Sequence, residues 1–511
     1  MKALSYLRVL RAFVVKFLIL PMKTILALDA GTTNVKAILV DQQGNVVTRS
    51  STPLEIQFPK DGWVEQSAAE ILVAAQKAIA ECLEKGRKHE VIALGISNQR
   101  ETVVAWNRRT GQAVHPCIVW QCRRSTSICQ ILRSKGLDEK IRVKTGLQVD
   151  PLFPATKIQW LFENHPEVVK LADQGDLCVG TVDAWLVWNL TDRKEFRTDY
   201  SNASRTQLLN LRKGSWDPEL LDLFGVPKSI LPELTQSNGL FGEMALPGGR
   251  TIPIHGVLGD SHAALLGHGV LQKGKVKATY GTGSSLMTLC DAPETGDKRV
   301  SATIAWNLDR IQYAYEGNIT VTGSGLSWAL GFTGLADLDA AVQQAIELPH
   351  NANVYFVPAL AGLGAPHWEE NARGSIVGLS FGANKEHLVR AALEAIAYQI
   401  KDVFDAMQGA AKTRLETLLT DGGASKNDWL MQFQADLLDR HVRRSRTAEL
   451  SGLGAAFAAG LGAGFWSSPD DLAAAIAPHD PFDPAMEDDE RKRLVQGWNR
   501  AVESVKTIAS K

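Results

Sequence analysis

Apolar runs of strand length alternate with helically spaced ones along most of the chain, which is the pattern of an α/β protein. Residues 23–47 hold two apolar runs around a short polar turn, then a third run after Gly44-Asn45. They predict a β-hairpin with a following strand. Ile71, Ala75, Ile79 and Leu83 recur at helical spacing within 68–85. Residues 91–97 read as a buried strand, 102–106 as another, and 219–223 as a short helix closed by Gly225 and Pro227. Pro247-Gly248-Gly249-Arg250 is loop chemistry, and the apolar run after it, 252–258, reads as the start of a second β-rich half. The expected organisation is therefore 1–22 as a leader, 23–251 as an N-terminal domain and 252–511 as a C-terminal domain. The second half repeats the first in outline, with strands at 311–314 and 354–358 and helices at 385–406 and 428–438. The Ala- and Gly-rich stretch 453–461 suits a closely packed helix.

Composition narrows the class. The chain has 511 residues, 45% hydrophobic and 22% charged, enough for two or three domains with sizeable cores. Lys plus Arg number 55 and Asp plus Glu 56, a net charge of −1, so nothing argues for nucleic acid. Six cysteines show no zinc spacing and read as reduced thiols of a cytoplasmic protein. Lys2, Arg8, Arg11 and Lys16 punctuate an apolar N-terminal segment with no acidic residue. A signal or transit peptide fits that pattern. The preferred reading is that Met22, directly before the first strand, is the natural start. Lys16 leaves the apolar run 17–20 too short to span a membrane, and no integral span is expected elsewhere.

The chemistry concentrates in four turns. In the first hairpin, Asp29 closes an apolar strand, Thr32 and Thr33 stand side by side, and Lys36 lies on the return strand. Hydroxyls and turn amides can hold phosphate oxygens, Lys36 can neutralise charge, and Asp29 can order Mg²⁺ through water. A turn-forming Asp and a solvated edge lysine are the plain alternatives. A related turn, Gly281-Thr282-Gly283, follows the run 276–280, and its glycines allow close approach of a ligand. Neither turn has a Walker A or dinucleotide spacing. Asp421-Gly422-Gly423, between a strand run and a helix, can cradle an anion or a flat ring, or simply form a capped loop. Gly259-Asp260-Ser261-His262 follows an apolar strand, so Asp260 is either a helix N-cap or a general base for a hydroxyl being phosphorylated. His262 reads as structural. Two phosphate-type hairpins in one chain suggest one nucleotide held between two domains.

Longer segments carry a resemblance. Asn98-Gln99-Arg100-Glu101-Thr102, the stretch from Ile118 to Arg124, the stretch from Thr198 to Thr206, and Gly362-Leu363-Gly364-Ala365-Pro366-His367-Trp368 look like segments of the FGGY carbohydrate kinases, and within them of the glycerol kinase group. Residues 374–394 resemble the family's second signature. The resemblance runs from Lys23 to about Trp498. It implies two ribonuclease-H-like domains of the actin and hexokinase type, with ATP in the interdomain cleft and Asp260 as catalytic base. It implies that Thr32, Arg100, Glu101 and Trp120 line a polyol site. It implies that Thr32, Thr33, Asn34, Lys36, Thr282, Gly323, Ser327, Gly423 and Asn427 surround the nucleotide. The implied reaction is ATP-dependent phosphorylation of a terminal hydroxyl of a small polyol, with glycerol, giving sn-glycerol 3-phosphate, as the best single name.

Three departures concern the acceptor. The glycerol kinase pattern has Tyr at Leu152, Gln at Ser261 and Phe at Ser285. Each change removes bulk or polar reach, and loss of an aromatic hydroxyl removes a hydrogen bond to substrate. A larger polyol or ketose, such as erythritol, threitol or xylulose, is the alternative acceptor. A catalytically impaired sugar sensor and a non-enzymatic ATP-binding scaffold of the same superfold are the readings from other classes. Arg100-Glu101 and the Gly259-Asp260 turn favour the kinase, since a pure ATPase needs no polyol site. Homodimer and homotetramer are the assemblies considered.

Overall fold

The computed structural model describes residues 21–509 apart from 294, 296 and 336. The leader expectation falls on residues 1–22, and all but the last two of these lie outside the described residues.

Two twisted sheets form the scaffold. The first has six strands in the order Leu240–Ala245, Thr251–Gly259, Glu90–Asn98, Lys23–Ala30, Asn34–Val40, Val46–Pro53. The expected hairpin is present, with Asp29 opposite Lys36 across the antiparallel pair. Lys23–Ala30, Glu90–Asn98 and Thr251–Gly259 run parallel. The second sheet has seven strands in the order Ser301–Asn307, Ile311–Ile319, Ser284–Cys290, Lys275–Tyr280, Thr417–Asp421, His441–Ser445, His479–Phe482. Its plan resembles the first: a run of antiparallel strands, two strands added in parallel by crossovers, and an antiparallel edge strand, with Ile311–Ile319 lying between Ser284–Cys290 and Ser301–Asn307. That repetition is the outline expected from the sequence.

One boundary differs. The strand Thr251–Gly259, taken as the opening of the second half, pairs with Glu90–Asn98 inside the first sheet. Its partner lies some 160 residues earlier, and parallel pairing across such a distance leaves no local mark in the sequence.

Helices follow their capping chemistry. Ser67 accepts from the Glu70 amide at the start of Ala68–Lys85. Asp217 caps Pro218–Phe224, which ends on left-handed Gly225. The helices Asp260–Gly267 and Leu450–Gly462 are buried between the two sheets, in a cluster that takes Ile25, Ala27 and Ala93 from the first sheet and Met287, Leu289 and Leu419 from the second. They cross at backbone contact. A Cβ on Gly454 would stand 1.7 Å from the Ala263 carbonyl oxygen, so only glycine permits the approach. The Ala- and Gly-rich stretch is thus the close-packed helix expected. All six cysteines are buried and free. Among the described residues no helix is long and apolar enough to cross a membrane.

Candidate active site

Parallel strands end together, and the candidate residues sit at those ends. Ala30, Asn98 and Gly259 are neighbours in register, which places Asp29, Arg100 and Asp260 around one edge of the first sheet. Carboxyl ends of parallel strands are where α/β sheets bind ligands. Asp260 opens the helix Asp260–Gly267. Its Oδ1 accepts from Arg100 Nε at 2.9 Å and from the Ser261 amide at 2.6 Å. Among the described residues no hydrogen bond reaches Oδ2, and the side chain is 40% exposed. Asp260 is therefore half fixed, with one oxygen held and the other without a hydrogen bond among the described residues.

Behind it lies a buried ion network that the sequence reading missed. Arg100 Nη1 donates to Glu316 Oε1 at 2.7 Å, Arg205 Nη1 stands 2.6 Å from Glu316 Oε2, and Arg205 Nε donates to Glu101 Oε1 at 2.7 Å. Glu316 is fully buried. Burial alone would push its carboxyl upward, but Arg100 and Arg205 outweigh that and hold it far below the usual carboxylate range. The same carboxylates, Glu316 first, keep Arg100 charged against its own burial. The signal was present as a single carboxylate inside the apolar strand Ile311–Ile319, but it named no partner.

Glu101 holds a positive φ of 61°, a strained conformation for so large a residue. Lys157 helps to hold it there. This buried lysine donates to the carbonyls of Glu101 at 3.0 Å and Leu152 at 2.7 Å. Burial lowers its pKa to about 7, against the opposing pull of Glu101. Leu152, half-buried, is thereby tied to the same loop as Glu101. Trp120 donates through Nε1 to Thr32 Oγ1 at 3.0 Å, so the two expected polyol residues meet. Gln66 fixes the Thr32 carbonyl at 2.7 Å. Ser261 and Ser285 also meet, Oγ to Oγ at 2.8 Å.

Asp29 accepts from Ser97 Oγ at 3.0 Å. Burial first, then the Asp260 charge, raise its carboxyl to about 6, with Lys36 opposing. Lys36 pairs with Glu449 at 3.1 Å, a partner the sequence did not suggest. Among the described residues no group of three or more His, Cys, Asp or Glu could cage a metal. Asp29 is nonetheless an under-compensated hard oxygen donor, which suits a Mg²⁺ held mainly by phosphate and water.

The second turn forms its own cluster. Thr282, exposed, accepts through its carbonyl from the amides of Thr322 and Ser324, and Gly323 donates to Gly281. Ser327 lies one turn further on, its Oγ donating to the Gly323 carbonyl. Gly422 has φ +94° and lies so close to Tyr280 that a Cβ would sit 2.4 Å from its carbonyl oxygen, while Gly423 faces open space. Asn427 accepts from the Leu430 amide and caps Asp428–Leu438. Asp421 is anchored by His268 at 2.8 Å and Thr279 at 3.1 Å. Thr33 and Asn34 bond to each other, through Asn34 Nδ2. Among the described residues no hydrogen bond joins the first hairpin to the cluster around Thr282, Gly323 and Gly423.

Residues 24–267 match the N-terminal domain of the FGGY family of carbohydrate kinases, and residues 276–463 match its C-terminal domain. The chain belongs to the FGGY family of carbohydrate kinases. It is 44% identical to an apulose kinase of Pectobacterium atrosepticum over 482 residues, 94% of this chain and 97% of the relative. It is 45% identical to a glycerol kinase of Carboxydothermus hydrogenoformans over 490 residues, 94% and 97% of the two. Among solved structures, Plasmodium falciparum glycerol kinase with ADP superposes with a TM-score of 0.88 at 34% identity, covering 95% of this chain and 98% of that one. A xylulose kinase of Lactobacillus acidophilus shares the fold, with a TM-score of 0.87 at 23% identity, covering 96% and 99%. The two sheets are thus the paired domains of an FGGY kinase, of the actin and hexokinase type. The enzyme is a phosphotransferase with an alcohol group as acceptor.

Proposed function

We propose that this FGGY kinase phosphorylates a terminal hydroxyl of a small polyol or ketose larger than glycerol, with ATP as donor. The observation that carries the reading is the wall beside Asp260. Where the glycerol kinase pattern has Gln and Phe, this chain has Ser261 and Ser285, hydrogen-bonded to each other at 2.8 Å. The wall is shorter and more polar, as an acceptor with a fourth oxygen-bearing carbon requires. The apulose kinase relative, named for a ketose, supports it. Glycerol itself, giving sn-glycerol 3-phosphate, is the second reading. Its support is the glycerol kinase relative and the superposition on a glycerol kinase.

Asp260 takes the proton of the attacking hydroxyl through Oδ2, the oxygen with no hydrogen bond among the described residues. Arg100 is held by Nε and Nη1, which leaves its Nη2 hydrogens for acceptor hydroxyls. Glu101 and Trp120 complete that pocket with Thr32 and Leu152. Lys36, Thr33 and Asn34 face the transferred phosphoryl, and Thr282, Gly323, Ser327, Gly423 and Asn427 hold the rest of the nucleotide. Asp29 would hold Mg²⁺, which when bound neutralises charge on the phosphate oxygens.

The experiment is ADP release coupled to NADH oxidation over glycerol, erythritol, threitol, xylulose and apulose. A higher kcat/KM for a four- or five-carbon acceptor than for glycerol is expected. The reverse order would return the assignment to glycerol. Asp260→Asn should lose nearly all turnover yet bind ADP. Substantial residual transfer would exclude Asp260 as the base.

A further inference from the structure

The serine wall has a direction, and the direction selects what it can bind. Lys277 is buried to 1% exposure, in the strand Lys275–Tyr280, and its Nζ donates to Ser261 Oγ at 2.8 Å. At the other end, Ser285 Oγ donates to Glu316 Oε1 at 3.3 Å. Glu316 is ionised and can only accept. As an ammonium, Lys277 carries hydrogens and no lone pair, so Ser261 receives a hydrogen from it. The Ser285 hydrogen is committed to Glu316. The contact between the two hydroxyls must therefore run from Ser261 to Ser285. The chain is one-way: Lys277 to Ser261 to Ser285 to Glu316.

Each serine has spent its single hydrogen and one lone pair. What each retains is a second lone pair. Ser285 is half-buried and lies next to Asp260 through Ser261, whose amide binds Asp260 Oδ1. Resting on the reading of a larger acceptor, we infer that Ser261 and Ser285 form a subsite that accepts a hydrogen bond from a hydroxyl beyond the third carbon of the acceptor. Lys277 is a positioning residue that sets its polarity. A carbonyl, ether or fluorine at that place finds no donor. The reacting alcohol therefore carries a free hydroxyl there, as a tetritol or a hydroxymethyl-bearing ketose does.

The test compares erythritol with 4-deoxy-4-fluoroerythritol, which is similar in size but cannot donate, in wild type, Ser285→Ala and Ser261→Ala. One hydrogen bond predicts a preference for erythritol of about five- to tenfold in kcat/KM for the wild type. It should collapse to within about twofold in each variant, with ADP affinity measured separately to verify folding. Equal use of the two acceptors by wild type would overturn the inference, as would a preference that survives both substitutions. Those results leave the kinase reading standing, because erythritol is still turned over. Turnover of glycerol with none of erythritol would remove the larger-acceptor reading and this subsite together.

Discussion

Asp29→Asn should make the unliganded enzyme more stable while removing its activity. The wild-type carboxyl is raised from 3.8 to about 6 by burial and by Asp260. A shift of about two pH units corresponds to about 3 kcal/mol, at 1.36 kcal/mol per unit, as the cost of holding Asp29 ionised in the fold at pH 7. Asp29 is only half-buried, so water in the cleft reduces this to about 1–3 kcal/mol. Asparagine keeps an acceptor for Ser97 and carries no charge. The sign follows from linkage. A carboxyl raised by folding binds its proton more tightly in the folded state, so the cost is absent below about pH 4. It grows as pH rises toward 6 and is complete above it. The variant should match wild type near pH 4 and exceed it at pH 7. For a domain of this size each kcal/mol moves the thermal midpoint by about 2–4 °C. Thermal denaturation without nucleotide, from pH 4 to 8, reads the difference, since the titrating groups not coupled to Asp29 cancel between the two proteins. Adding Mg²⁺ and ATP should stabilise wild type more than the variant. A gap that is negative, or that does not change with pH, would refute the account of Asp29 as an under-compensated carboxylate.

Glu316→Gln leaves Arg100 and Arg205 buried against a neutral partner, and should cost about 3–5 kcal/mol in chemical denaturation. A loss under 1 kcal/mol would mean that water or a neighbour already neutralises the pair. Lys157→Met removes the donor to two carbonyls, at about 1–3 kcal/mol for each group left unpaired. Since Glu101 and Leu152 both move with it, acceptor KM should rise several-fold while ADP affinity holds. An ADP affinity that falls in parallel would point to general unfolding.

What could be read from the sequence was local. The hairpin around Asp29 is two apolar runs with a turn between them, and the helix Ala68–Lys85 is a 3.6-residue period with a serine cap. The turn at Gly281-Thr282-Gly283 and the glycines at 422–423 showed themselves as backbone chemistry. The pairing of Thr251–Gly259 with Glu90–Asn98 did not, because both runs are apolar and nothing in either specifies the other. Arg100, Glu101 and Asp260 could be named from quoted segments. Arg205 lay in such a segment, Thr198 to Thr206, without a role, and Glu316 and Lys277 lay in none. Each is one charged residue in a strand or turn, and its meaning lies in a partner that chain topology delivers. Arg100 reaches Glu316 across 216 positions.

That long-range ion network explains why the acceptor end of the cleft should be the rigid end. A buried ion network is a poor source of stability, since packed apolar residues of the same volume would often do as well or better. What it supplies here is orientation. Arg100 comes from the end of a first-sheet strand and Glu316 from a second-sheet strand, so their 2.7 Å contact fixes one domain against the other at the level of Asp260. Beneath it, the helices Asp260–Gly267 and Leu450–Gly462 touch through backbone, Gly454 against the Ala263 carbonyl. Among the described residues the two phosphate turns share no hydrogen bond with each other, and the first is tied to the C-terminal half through the partly exposed Lys36–Glu449 pair at 3.1 Å. A cleft bonded at its floor through Arg100 and Glu316, with the partly exposed Lys36–Glu449 pair to remake at the first turn, can close over a nucleotide without remaking the geometry around Asp260. On the proposed roles, the donor enters and leaves while Asp260 Oδ2 and the free edge of Arg100 stay in place for the acceptor.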